Sequence, residues 1–403
     1  MAQASRPLSS GPVHPALVIL ALAMGAFAIG TTEFAAMSLL PFFAGDLGIS
    51  EPMAGHAISA YALGVVVGAP VIAVLGARLP RRTLLIGLMA LFAIGNGLSA
   101  VSPDYATMLL FRFLSGLPHG AYFGVAALVA ASLVPSDRRA QAVARVMTGL
   151  TVATVIGVPV ANWMGQALGW RWGFGIVALL AIITMMLVTF FAPRDAGDPQ
   201  AIPMRELGAL REPQVLLTLL TGAVGFGGLF AVYTYVASTM ISVTHVSERL
   251  VPVILAIFGV GMTIGNLVAA WAADRAQSRT GIIVLLWSAA SLALFPMMAG
   301  NIWSLSLVIF LIGCGGGLGS VLQTRLMDVA GDAQTLAAAA HHSAFNVANA
   351  LGPWLGGVAI SAGYGLTSTG WIGAALALAG LAIFLFALNQ HQRSMRLAVV
   401  PCE

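Results

Sequence analysis

Glu33 stands inside the apolar stretch Ala16–Phe43, in the segment Gly30-Thr31-Thr32-Glu33-Phe34, while the other thirteen Asp and Glu fall in or beside polar breaks. A carboxylate in hydrocarbon is expensive and is by default functional. Removal from water disfavours the charged form of a carboxyl group, which suits a group that must take up and release a proton. Arg112 is the matching positive charge, also inside an apolar run. It lies eight residues past Asp104, about 12 Å deep at the rise of an α-helix, and Glu33 lies roughly 12–18 Å deep by the same measure. Opposite charges at similar depth are expected to pair. Such a pair is either a static clamp between two helices or one that is made and broken during a working cycle. His119 sits seven residues beyond Arg112, two helical turns along the same face. Histidine titrates near neutrality, so His119 is either a relay or substrate contact or a packing histidine in Pro118-His119-Gly120.

Other polar side chains sit in apolar runs. His342, Asn346 and Asn349 follow at i, i+4 and i+7, a stripe on one helix face, with His341 beside it. In lipid such a stripe faces protein or a wet cavity, and it either binds a substrate or joins helices. Phe34, Met37, Tyr61, Phe123, Phe230 and Tyr233, together with His342 and Asn346, are candidates to line a substrate cavity; plain aromatic packing is the alternative. No Cys/His cluster has zinc spacing, and no Ser-His-Asp set stands out. The eighteen basic residues are all arginine. Without lysine there is no Walker A motif and no lysine Schiff base. The expectation is a protein that is not an enzyme and uses no cofactor.

The elements that must hold these residues are membrane helices. Of 403 residues, 59% are hydrophobic and 8% charged, and apolar runs of about 20 residues are long enough to cross a bilayer. Twelve are counted, at 16–42, 54–77, 83–101, 107–134, 140–167, 171–192, 214–240, 250–273, 280–299, 302–323, 334–361 and 367–389. With the N-terminus inside, only Arg171 and Arg249 fall in outer loops and Arg112 is intramembrane; the remaining arginines lie on the cytoplasmic side. That bias predicts both termini in the cytoplasm, so the net charge of +4 reflects topology rather than a nucleic-acid partner. Cys314 and Cys402 are expected to remain free thiols.

A polar segment, 193–213, separates an N-terminal unit, 1–192, from a C-terminal unit, 214–403. The units repeat one another. Gly68-Ala-Pro…Arg78 matches Gly265-Asn-Leu…Asp274-Arg275, and Val152-Ala…Gly157-Val-Pro159 matches Val347-Ala…Gly352-Pro353, at spacings of 197 and 195 residues. A duplicated bundle with a site near the midplane is a transporter pattern. Small residues four apart, as in Gly64-x-x-x-Gly68 and Gly261-x-x-x-Gly265, permit close helix packing.

Several segments together resemble a known family. Gly30-Thr-Thr-Glu-Phe34, Gly68-Ala-Pro70…Arg78-Leu-Pro-Arg-Arg82, Arg112-Phe-Leu-Ser-Gly-Leu-Pro-His-Gly120 and Gly149…Gly157-Val-Pro159 are similar to segments of the major facilitator superfamily. The likeness is to its 12-helix drug:proton antiporters, in the subgroup of sugar or arabinose efflux proteins and chloramphenicol exporters. The resemblance covers essentially the whole chain. It implies an all-α polytopic fold of twelve transmembrane helices in two pseudo-symmetric six-helix bundles, in a bacterial inner membrane, and a monomer. It implies a proton-driven carrier that exports a drug, sugar or nucleoside, with Glu33, Arg112 and His119 coupling protons. Arg78, Arg81, Arg82, Asp274 and Arg275 are then expected in a cytoplasmic gate, and Gly149, Gly157 and Pro159 in closure. Ala77 departs from the family, which usually has Asp there. The alternatives are a proton symporter or facilitator that imports a sugar or nucleoside, and a membrane sensor that transports nothing.

Overall fold

The computed structural model describes residues 14–135, 138–197, 212–329 and 334–398. Most of the linker 193–213, with Arg205 and Arg211, and the tail bearing Cys402 lie outside the described residues. Those residues form helices and no strand. In the first half they are α1 (Pro15–Ser38), α2 (Leu40–Asp46), α3 (Glu51–Gly76), α4 (Arg81–Ala100), α5 (Tyr105–Ser132), α6 (Arg139–Val152), α7 (Val158–Leu168) and α8 (Trp170–Phe191). In the second they are α9 (Pro213–Gly225), α10 (Gly227–Ser242), α11 (Val251–Met298), α12 (Ile302–Cys314), α13 (Leu318–Val329), α14 (Gln334–Ala359) and α15 (Thr369–Ala398).

Ten of the helical segments are long and apolar enough to cross a membrane. One of them, Glu248–Met298, is 51 residues long and carries two of the expected runs. The 26-residue α14 is equally long, but His341, His342, Asn346 and Asn349 dilute its apolar character. Twelve crossings follow. The eighth and ninth runs are two helices within the range of α11: the first carries Asp274 and Arg275 at its end, and the non-helical residue Ala276 (φ −155°, ψ 65°) breaks the chain between them, a shorter junction than a loop.

Local chemistry sets the helix starts. Ser50, Asp104 and Asn301 accept from the backbone N–H of Met53, Thr107 and Trp303, the capping contact that satisfies an orphan donor. Gly169 joins α7 to α8 at φ +100°, a conformation open to glycine. A π-turn, Ala153–Gly157, links α6 to α7 directly before Pro159, whose ring cannot donate to a regular helical ladder.

The halves pack by the same contacts. Gly64, Gly68 and Gly116 lie hard against the backbones of Phe113, Leu117 and Tyr61; Gly261, Gly265 and Gly313 lie against Phe310, Cys314 and Phe258. Each second-half residue is the first-half residue shifted by 197 positions (Gly64 to Gly261, Phe113 to Phe310). α3 therefore crosses α5 as the first part of α11 crosses α12.

One end of the bundle carries Asp46, Asp104, Arg171 and Glu248 and is the end the arginine count assigns to the outside. There the halves share a single core: Phe34–Ala44, Ala54–Ile58, Val158 and Phe174 pack with Phe226–Met240, Val251–Phe258 and the rest of the second half. Toward the opposite, inner end the first half forms a separate core, Val18–Ile29, Leu85–Phe92, Ala121–Ala130 and Val177–Ala192. The outer end is closed in this conformation. Hydrogen bonds that cross between halves include Ser59 Oγ to Ala350 O at 2.9 Å, Gln166 Nε2 to Glu248 O at 2.8 Å and Asn349 Nδ2 to Glu33 at 3.1 Å.

A candidate transport site between the halves

α1 is buried on almost all sides from Gly25 onward. Thr32 and Glu33 are neighbours on it, and one residue turns a helix by about 100°. The step sends them to different partners. Thr32 faces α4 and α5: its hydroxyl donates to Asn96 Oδ1 at 2.6 Å and accepts from Arg112 Nη1 at 3.2 Å. Glu33, 7% exposed, faces the other half and accepts from Asn349 Nδ2 on α14 at 3.1 Å.

The expected direct ion pair between Glu33 and Arg112 is therefore not formed in this conformation. The two charges interact through space, but no nitrogen–oxygen contact within 4.0 Å joins them. Arg112 instead sits in a neutral nest, with Asn96 Oδ1 and Ser115 Oγ at 3.5 Å and its guanidinium 4.3 Å from the Tyr61 ring centroid. Its Nε and Nη2 are buried without a hydrogen-bond partner. Depth along the membrane had suggested pairing; the direction each side chain points decides against it.

A chain of contacts runs on from Arg112. The Tyr61 hydroxyl and His119 Nδ1 share a 2.8 Å hydrogen bond. His119 meets the edge of Phe123 at 5.3 Å, and Phe123 stacks on His342 at 5.0 Å with 6° between the rings. That stack crosses from one half to the other. His341 packs on Phe345 at 4.5 Å, Phe345 on Phe226 at 4.3 Å and Phe226 on Phe230 at 5.5 Å. Phe34 then closes on Phe230 at 6.1 Å and Tyr233 at 5.4 Å. The sequence candidates Phe34, Tyr61, Phe123, Phe230, Tyr233 and His342 thus belong to one aromatic belt around the midplane. Met37 lies one turn farther out in the shared core. Asn346 donates to its own helix at His342 O, and its Oδ1 is buried with no partner.

Residues that sequence reasoning did not single out complete the site: Thr32, Asn96, Ser115, Phe258 and Phe345. Asn96 was findable, as a lone amide in the apolar run 83–101. Asn349 was visible only as part of a stripe.

The gate candidates are not brought together. Arg82 donates to Thr189 O within its own half. The backbone N–H groups of Arg81 and Arg82 are accepted by Asp195, at 2.8 and 3.4 Å. Arg78 and Asp274 are exposed, and Arg275 folds over Trp271 at 4.0 Å. The glycines of the closure motif have a definite place. Gly149 lies against Ala23 O and Gly157 against Thr31 Oγ1, so the two hold α6 and the π-turn before Pro159 directly on α1, two residues from Glu33. Gly259 of α11 abuts the Thr154 backbone in that same π-turn.

Known proteins are similar to this chain in sequence and fold. The family model of the Major Facilitator Superfamily matches residues 22–247 and 234–398. The inner membrane transport protein YdhP of Escherichia coli K12 is 42% identical over 378 residues, 93% of this chain and 97% of that protein. A chloramphenicol resistance protein of Streptomyces lividans is 34% identical over 347 residues, 84% of this chain and 87% of that one. Among solved structures, a bacterial homologue of the human lysosomal transporter Spinster, in an inward-facing and unoccupied conformation, has a TM-score of 0.75 at 15% identity, covering 94% of this chain and 98% of its own. The chain is a membrane transporter rather than an enzyme, and it belongs to the major facilitator superfamily.

Proposed function

We propose that the protein exports a small, weakly charged organic molecule from the bacterial cytoplasm, as an antiporter driven by protons entering through Glu33. The carrying observation is a single buried carboxyl group at the contact between halves, one hydrogen bond from the opposite half and beside a buried arginine it does not touch. A carboxyl so placed feels both the ionisation state and the rocking of the halves. The energy source is the proton gradient, with no bound cofactor, and the working unit is a monomer in the inner membrane with both termini in the cytoplasm.

The aromatic belt supports the substrate class. Rings from both halves offer stacking surfaces, Asn346 and Arg112 offer unpartnered polar atoms, and Glu33 is the only acidic side chain in the belt. That composition suits an amphipathic drug, sugar derivative or nucleoside better than a polycation. The similarity to a chloramphenicol resistance protein and the tight Gly149–Gly157 packing of α6 on α1 favour export over import.

The mechanism follows from two-state energetics. A proton or substrate shifts the equilibrium only by its different affinity for the two states. Protonating Glu33 favours the outer-closed state described above; substrate loaded from the cytoplasm, with loss of that proton, favours the outer-open state. In inverted vesicles, adding chloramphenicol, arabinose or a purine nucleoside to an energised membrane is expected to release protons with one of them. Glu33→Gln is expected to reduce pH-driven transport on the order of 5- to 150-fold, the usual size of a coupling term. Unchanged pH-driven transport in that variant sinks the assignment. Substrate accumulation down the proton gradient, in the same direction as the protons, indicates symport instead.

A further inference from the structure

Asn349 uses the donor side of its amide and not the acceptor side. Its Nδ2 donates to Glu33 Oε1 at 3.1 Å, while its Oδ1 is buried with no hydrogen-bond partner. Asn349 itself is fully buried. An ionised carboxylate only accepts hydrogen bonds, whereas a protonated one also donates. An ionised Glu33 can therefore satisfy the amide N–H but never the amide oxygen, and a buried acceptor left unpaired is costly.

Resting on the proton-coupled reading above, we infer that Asn349 is the positioning residue that turns a proton on Glu33 into closure of the outer end, by forming a two-bond acid–amide ring across the halves. In that ring Nδ2–H donates to Oε1, and the proton taken from solvent onto Oε2 donates to Oδ1. Losing the proton breaks the second bond, orphans Oδ1 and loosens this polar contact between α1 and α14. The other groups facing Glu33 do not substitute for this. Arg112 on α5 is held by Thr32, Asn96 and Ser115. Tyr61 on α3 is committed to His119. Asn346, one turn away on α14, spends its amide N–H on His342 O, and His342 stacks on Phe123. The clasp lies beside Ser59–Ala350, which joins α3 to α14 one residue farther along, so both bonds load α14 against the first half.

The test places spin labels at Val101→Cys and Tyr364→Cys, both exposed at the outer end, in the full chain with Cys314→Ser and Cys402→Ser, in lipid nanodiscs. The distance between labels is read from acid to alkaline pH. The wild-type background is expected to be short in acid and long in alkali. Glu33→Gln, whose amide offers an N–H where the acid offers an O–H, is expected to stay short throughout. Asn349→Ala is expected to stay long and lose the pH response, and Asn349→Gln to restore it. If Asn349→Ala keeps the wild-type response, the inference is overturned while coupling through Glu33 stands. If Glu33→Gln responds to pH as the background does, the proton-coupled reading fails as well. Infrared difference spectra of the chain unaltered at Asn349 give an independent check. The outer-closed state is expected to show a protonated carboxyl band that Glu33→Gln lacks, and a closed state without that band overturns the inference.

Discussion

In the first half Glu33 is buried at the contact between halves and Arg112 is buried within its own half; 197 residues on, Phe230 and Ile309 stand in their places. The same spacing sets Tyr61 against Phe258 and His119 against Gly316. It also sets Gly30, packed on Ala153, against Gly227, packed on Ala348. The frame is duplicated and the chemistry is not. Glycines at helix crossings answer to backbone separation, which both halves require. A buried charge carries a desolvation cost that recurs with every copy, so at this site the first half holds the charges and the second supplies neutral and aromatic partners. The asymmetry leaves Asn349, an amide from the second half, as the direct polar partner of the carboxyl.

The largest effect is expected from making the halves chemically alike. Phe230→Glu places a second carboxyl in the aromatic belt with no arginine at Ile309 to answer it, and is expected to cost about 3 kcal/mol or more. Thermal unfolding in detergent measures it; a melting point equal to wild type breaks the correspondence of Glu33 with Phe230. The shared frame predicts a smaller, matched pair of effects. Gly64→Val and Gly261→Val each push a branched side chain onto the next helix's backbone and are expected to cost about 1–3 kcal/mol apiece. Strongly unequal losses mean that the two crossings are not equivalent.

The smallest effect tests a feature without a counterpart. Asp46 pairs with Arg171 at the outer end and also accepts from Trp170 Nε1 at 2.9 Å; on the 197 spacing its place is taken by Val243. The hydrogen bonds from Arg171 and then Trp170 hold the Asp46 carboxyl below the ordinary carboxylate range. A depressed folded-state value means that the stabilisation is complete above the unfolded-state value and disappears as pH falls through the folded one. Asp46→Asn is thus expected to cost no more than about 1 kcal/mol near neutrality, as for exposed pairs generally, and nothing in strong acid. A cost that persists in acid assigns the contact to packing instead.

The number of crossings was legible because hydrocarbon thickness fixes the length of an apolar run. The repeat was legible because glycines at fixed spacing mark it. Glu33 was legible from its isolation, which is a property of composition alone. Its partner was not. Sequence gives depth along a helix, but azimuth depends on how neighbours pack, and one residue's turn separates a Thr32 that meets Arg112 from a Glu33 that meets Asn349. The junction between the eighth and ninth runs was legible in place but not in length. Asp274, Arg275 and Arg279 end the apolar signal and the break does fall among them, at Ala276, yet polar residues near a membrane surface are compatible with either loop or helix, and here helix occupies all but that residue.

So short a junction bears on how this region tolerates change in length. Most connections between membrane helices absorb an added or lost residue by bulging. α11 has only the bend at Ala276 in which to do so. A single insertion beside it, if taken up as helix, rotates everything downstream by about 100° and advances it by about 1.5 Å. Leu285, Leu292 and Phe295, now buried, would swing toward lipid, while exposed Ile283 and Trp287 would turn inward. The spacing from Gly265 to Leu285 is therefore among the least adjustable lengths in the chain, and insertions selected to retain transport are expected to avoid it.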